Sequence, residues 1–164
     1  MVFWRTFVHS IQLPKKQAVF KLNRIGMDIT VVYMFILIGL ISLPAMVNLL
    51  QADANSGINL FFWLIYFFMF YYLPMTIGVF LLLALIAWIG TGIAKLLRRK
   101  LRFALLWKMS AYLSTIPSLI YTIVALIIPV SPHMLWIFCL YVLLFLISII
   151  TIYPKRRRRP VKEG

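Results

Sequence analysis

Between Ile58 and Ile93 the chain runs for 36 residues without a charged side chain. Lipid offers no partner to backbone N–H and C=O groups, so a run of this kind must close its hydrogen bonds internally as a helix. As one straight helix it reaches about 54 Å, well beyond the ~30 Å of bilayer hydrocarbon. Three more apolar runs accompany it, at about 29–50, 103–128 and 135–153. Each is close to the ~20 residues that one crossing needs. The whole chain is 64% hydrophobic and 12% charged, with one cysteine and a mean hydropathy of +1.01. Soluble domains average about 45–50% and ~25%. A soluble globular domain, a disordered tail and a disulfide scaffold are all excluded.

Charge sets the threading. The 17 Lys and Arg outnumber three acids, for a formal +14. They fall in three clusters: Arg5 to Arg24, Lys95 to Lys108, and Lys155 to Lys162. The short gaps at 51–58 and 131–134 hold no Lys or Arg. Four crossings bring all three clusters to one face, which the positive-inside rule makes cytoplasmic. Two crossings within 58–93 would instead set the second cluster beside the neutral 51–58 loop.

Nine of the twelve residues from Phe61 to Tyr72 are aromatic. Such rings favour the headgroup boundary, so 59–73 is expected as an outer interfacial helix. Pro74 then opens the second span, at about 74–94. The rival arrangement is one long kinked helix. At the N-terminus, Phe3, Trp4, Phe7, Val8 and Ile11 recur at helical spacing. That pattern predicts an amphipathic helix in the membrane surface or packed under the bundle. No apolar stretch ahead of a small-residue cleavage site marks residues 1–26 as a signal peptide. The expected fold is all-α: a polytopic bundle of four transmembrane helices with these two interfacial helices. The expected divisions are 1–26 as the interfacial segment, 27–153 as the membrane domain and 154–164 as a basic tail.

Polar groups within a membrane are the default functional candidates. Asp28 is placed to favour the start of the first span. Lys108, about one turn into the third span, is placed to snorkel to the headgroups or to pair with Asp28. Ser110, Ser114, Ser118 and Thr122 recur every four residues and give one face of the third span a small, hydroxylated surface. Such a face suits close helix packing; its sharper reading is the lining of a path. Ala87/Thr91 and Gly90/Ala94 form a lesser match. Pro44, Pro74 and Pro117 are the expected kinks. Lys155, Arg156, Arg157, Arg158 and Arg159 follow a span directly, so they are read as a contact for anionic headgroups and not as a nucleic-acid patch. His9, His133 and Cys139 are too scattered for a metal site. No Ser–His–Asp set is plausible. Neither a catalytic residue nor a cofactor is expected, and an enzyme is disfavoured.

The segment Ser10-Ile11-Gln12-Leu13-Pro14-Lys15, the Ser42-Leu43-Pro44 end of the first span, and Ala111-Tyr112-Leu113-Ser114-Thr115-Ile116-Pro117 occur in that order. This order resembles a bacterial multi-span membrane family of unknown function, sometimes labelled maltodextrin-utilisation proteins and distantly similar to Yip-type proteins. Members of that family usually carry a larger extracytoplasmic segment after the first span, where this chain has only Gln51 to Ile58. The resemblance brings no catalytic residues. It implies a bacterial plasma membrane, in which the four-crossing threading sets both termini on the cytoplasmic side.

Two functions follow as expectations. One is a scaffold or accessory subunit that packs on another membrane protein through the small-residue face and the aromatic helix. The other is a homo-oligomeric permeation component with the Ser/Thr face along its path.

Overall fold

The computed structural model describes residues 2–52, 59–99, 101–128 and 133–154. Eight α-helices order them: α1 (Val2–Ile11), α2 (Lys16–Asn23), α3 (Met27–Ala52), α4 (Leu60–Phe67), α5 (Leu73–Leu96), α6 (Phe103–Leu113), α7 (Thr115–Ile127) and α8 (Met134–Ile152). No strand occurs among the described residues. Four helical stretches are long and apolar enough to cross a membrane: Met27–Gln51, Leu60–Leu96, Phe103–Ile127 and Met134–Ile152. The protein is an all-α bundle with the make-up of a multi-pass membrane protein.

The break favoured at Pro74 is absent. Asn59 caps α4, its Oδ1 accepting from the Phe61 N–H at 3.1 Å. The helix then runs through a π-helical turn, Phe68–Tyr72, straight into α5. A proline leaves the carbonyl four residues before it, here that of Phe70, without its helical donor. The π turn changes the bonding pattern at that place, so the chain continues without a loop. Its 37 residues span about 55 Å at 1.5 Å each.

Pro117 has the opposite outcome. The third span loses its regular ladder at Ser114, between α6 and α7. Pro117 has no N–H for the Leu113 carbonyl, and its ring crowds that oxygen. The two halves then pack differently. α6 lies against α5 and α8, whereas α7 lies against α3. The first span, by contrast, remains one helix through the buried Pro44.

The core gathers where α6 meets its neighbours. Every residue from Leu106 to Thr115 is buried. Gly90 on α5 lets α8 approach closely: a Cβ there would stand 2.8 Å from Leu146 Cδ2. α1 and α2 pack against α6 as well, and α1 also reaches α7. Thr6 and Ser10 of α1 are fully buried while Phe3, Trp4 and Ile11 are exposed. Hydroxyls inside and rings outside is the polarity of a helix that meets lipid.

The turn after α5 is tight. Arg98 takes φ 52°, its N–H bonds Lys95 O at 3.0 Å and the Arg99 N–H bonds Ala94 O at 2.8 Å. That is a Schellman closure with arginine in glycine's usual place. It returns the chain at the end of the bundle where Phe20 of α2 packs on Tyr153, ring centroids 5.5 Å apart. That contact sets α2 beside the close of α8.

Candidate functional site

The third span brings the hydroxyl stripe against the first span. Ser110, Ser114, Ser118 and Thr122 are all buried. Ser110 Oγ donates to Leu106 O at 2.8 Å, Ser114 Oγ to Ala111 O at 2.6 Å, and Thr122 Oγ1 to Ser118 O at 2.9 Å. Back-bonding to the helix's own carbonyls satisfies hydroxyls where water is absent. The stripe faces α3. Ser114 Oγ lies 3.9 Å from Met34 Sδ, and Thr122 Oγ1 lies 3.5 Å from Leu40 O. Leu40 stands four residues before Pro44, so Thr122 sits beside the carbonyl that Pro44 leaves without a donor. The face that sequence offered to a partner or a path is taken up by this chain's own first span.

Ser118 is different. Its Oγ is buried and has no hydrogen-bond partner among the described residues.

Two hydroxyl pairs tie α3 to the third span more firmly. Thr30 Oγ1 and the Tyr112 hydroxyl are 2.7 Å apart, and so are the Tyr33 hydroxyl and Thr115 Oγ1. The two tyrosine rings tilt against each other at 5.6 Å. Sequence reasoning passed over Tyr33 and Tyr112. The usable signal was a phenol deep in an apolar run, which needs a partner once buried.

Asp28 and Lys108 do not pair. Lys108, only 7% exposed, donates from Nζ to Asn23 O at 2.8 Å and Ile25 O at 2.6 Å. The last carbonyls of a helix have no internal donors and carry partial negative charge. The close of α2 therefore supplies what a carboxylate would have supplied. The ammonium turns inward to these oxygens rather than out to headgroups. Asp28 is exposed in the first turn of α3. No ion pair forms among the described residues.

The lesser small-residue match also lies inside. Ala87, Gly90 and Ala94 are buried against the neighbouring spans, and Thr91 Oγ1 donates to Ala87 O at 2.8 Å. His9 is half-buried on α1, His133 is exposed just before α8, and Cys139 is half-buried within α8. Among the described residues no three His, Cys, Asp or Glu side chains come together. Lys155 to Arg159, read as a headgroup contact, lie outside the described residues.

Beyond Ser114, α7 leaves α5 and α8, and a cavity of about 450 Å³ opens among α3, α5, the third span and α8. Its walls include Met34, Leu37, Val79, Pro117, Ser118 and Phe138. Its volume is that of a small-molecule site.

Residues 51–151 match the family model described as "Protein of unknown function (DUF1189)". The chain belongs to this family. The match takes in the second, third and fourth spans and almost none of α1 to α3. The DUF1189 family carries no assigned activity. No curated protein and no solved structure matches the chain.

Proposed function

We propose that this DUF1189 protein is a non-catalytic accessory subunit that docks on another membrane protein through α4. One observation carries the reading: α4 packs chiefly on the π turn that follows it. Phe61, Phe62, Tyr66 and Phe70 remain 59–70% exposed. The continuous helix exceeds the bilayer core by about 25 Å, so part of this ring-rich segment reaches the membrane boundary or beyond. Rings at such a place favour headgroups or an aromatic-rich protein interface. The rival, a homo-oligomeric path along the Ser/Thr face, is weakened because three of the four hydroxyls bond their own helix.

The reading includes a bacterial plasma membrane with both termini cytoplasmic, basic residues against anionic headgroups, and no role in binding nucleic acid. The three basic clusters that four crossings would bring to one face support that orientation. Cysteines placed at Asn55 and Gly164 should label from opposite sides, and labelling from one side defeats it.

The docking test uses a photo-crosslinking amino acid at Phe62 or Tyr66 and, as a control, at Leu144, which α8 also exposes. A stoichiometric foreign membrane protein captured only from the α4 positions supports the subunit reading. A ladder of self-crosslinked chains, or equal capture from Leu144, removes it.

A further inference from the structure

We propose that α1 is embedded at mid-bilayer depth and that its Arg5 pairs with a carboxylate midway along a spanning helix of a partner membrane protein. The depth follows from what α1 packs on. It lies against both α6 and α7, and their junction at Ser114 is within one residue of the midpoint of the span Phe103–Ile127. Phe7 lines one small cavity with Ile36, Gly39, Leu40 and Leu43, and Gly39 is the midpoint of the span Met27–Gln51. Two spans thus give the same level independently. Arg5 is about 3 Å along the helix from Phe7, and the middle of the hydrocarbon is about 15 Å from either edge.

Arg5 needs a counter-charge there. It is exposed, whereas Thr6 and Ser10 of the same helix are buried. A cation at this level is costly unless paired, and an arginine stem is shorter than the way out to the phosphates. Asp28 is the one acid among the described residues, and it precedes Gly39 by eleven residues, at the start of its span. Asp53 and Glu163 fall outside all four spans. A second copy of this chain therefore brings no carboxylate to mid-depth, which leaves a different protein.

The neighbours of Arg5 suit a protein contact. Phe3 and Trp4 are 44% and 70% exposed, and Trp and Arg are enriched where binding energy concentrates at interfaces. Trp4 stacks on Phe7, ring centroids 5.9 Å apart, so its indole is already held against the helix. The setting rests on the accessory-subunit reading, with α1 as a second contact besides α4; a synthetic partner lets the two fail separately.

The test places the full-length chain in phosphatidylcholine vesicles with a poly-leucine helix of about 20 residues that carries Asp, Asn or Leu at its centre. Association is read by energy transfer. The Asp helix should bind about ten- to hundredfold more tightly than the Leu helix, the worth of a charge-assisted bond, with the Asn helix between them. Arg5→Leu should remove the Asp preference and Arg5→Lys should keep part of it. In a Cys139→Ser background, a nitroxide at Phe3→Cys should match one at Leu144→Cys, beside the midpoint of Met134–Ile152, in meeting oxygen more than aqueous nickel complexes. One at Gln17→Cys, exposed on α2, should meet nickel. The Phe3 label should keep its depth in Arg5→Leu. A Phe3 label that behaves like the Gln17 label, equal binding of the Asp and Leu helices, or an Asp preference that survives Arg5→Leu would each overturn the proposal and leave capture from α4 untouched. Displacement of the Asp helix by phosphatidylglycerol would assign Arg5 to lipid phosphate and overturn it equally.

Discussion

The two halves of the third span share a sequence style but not a fate. In α6 every residue from Leu106 to Leu113 is buried, ringed by α1, α2, α3, α5 and α8. In α7 only Thr115, Ser118 and Thr122 are buried, and Ile123 and Ile127 are 61% and 75% exposed. Composition does not separate them, since both are apolar with regular hydroxyls. A single proline does, by ending the ladder before the second half begins. The closed half is therefore the mechanical centre, and the open half is where a ligand has room.

The contrast can be broken most forcefully at Lys108. Lys108→Met keeps the stem but strips two charge-assisted bonds from Asn23 O and Ile25 O. A loss of about 2–3 kcal/mol is expected, read as earlier unfolding in a denaturing-detergent titration and faster proteolysis after Lys21. Unchanged proteolysis would show that α2 is held by packing alone.

The two ends of α5 offer a matched pair. Gly90→Ala, in the closed half, sets a methyl against the fully buried Leu146 and should cost about 1–3 kcal/mol. Gly78→Ala, in the open half, meets nothing within 4 Å and should be neutral or stabilising by up to about 1 kcal/mol. Equal effects on the same titration would erase the distinction between the halves. Smaller again is the hydroxyl pair at the border: Tyr112→Phe should cost about 0.6 kcal/mol, the usual scale for a hydrogen bond between membrane helices. A double-mutant cycle with Thr30→Val isolates that value. The smallest effect expected is at Arg98→Gly, which should stabilise by a few tenths of a kcal/mol by relieving a left-handed arginine.

Much of this architecture could be read from residue order. The first, third and fourth spans fall within two residues of their expected limits, because hydrophobic length is a one-dimensional signal, while the second begins 14 residues before the expected Pro74. The hydroxyl periodicity was equally plain. Its direction was not, because spacing gives a face and never says which neighbour meets it. For Lys108 the sequence offers headgroups or the Asp28 carboxylate, because it displays charges and hides carbonyls; the end of α2 becomes a partner only once folded beside it. Pro74 misled for a related reason. A proline's effect depends on whether the preceding turn can change its bonding, as Phe68–Tyr72 does and Leu113–Ser114 does not. The cavity lies furthest from sequence, since it exists only as the space between helices that part.

The anchoring of α2 by Lys108 also orders events in time. The oxygens of Asn23 and Ile25 emerge from the ribosome more than eighty residues ahead of the ammonium that holds them. Until the third span has entered the membrane, the N-terminal hairpin has nothing to close on. A segment made before the first span is thus fastened only after the third, and its docking reports that insertion has passed the third crossing.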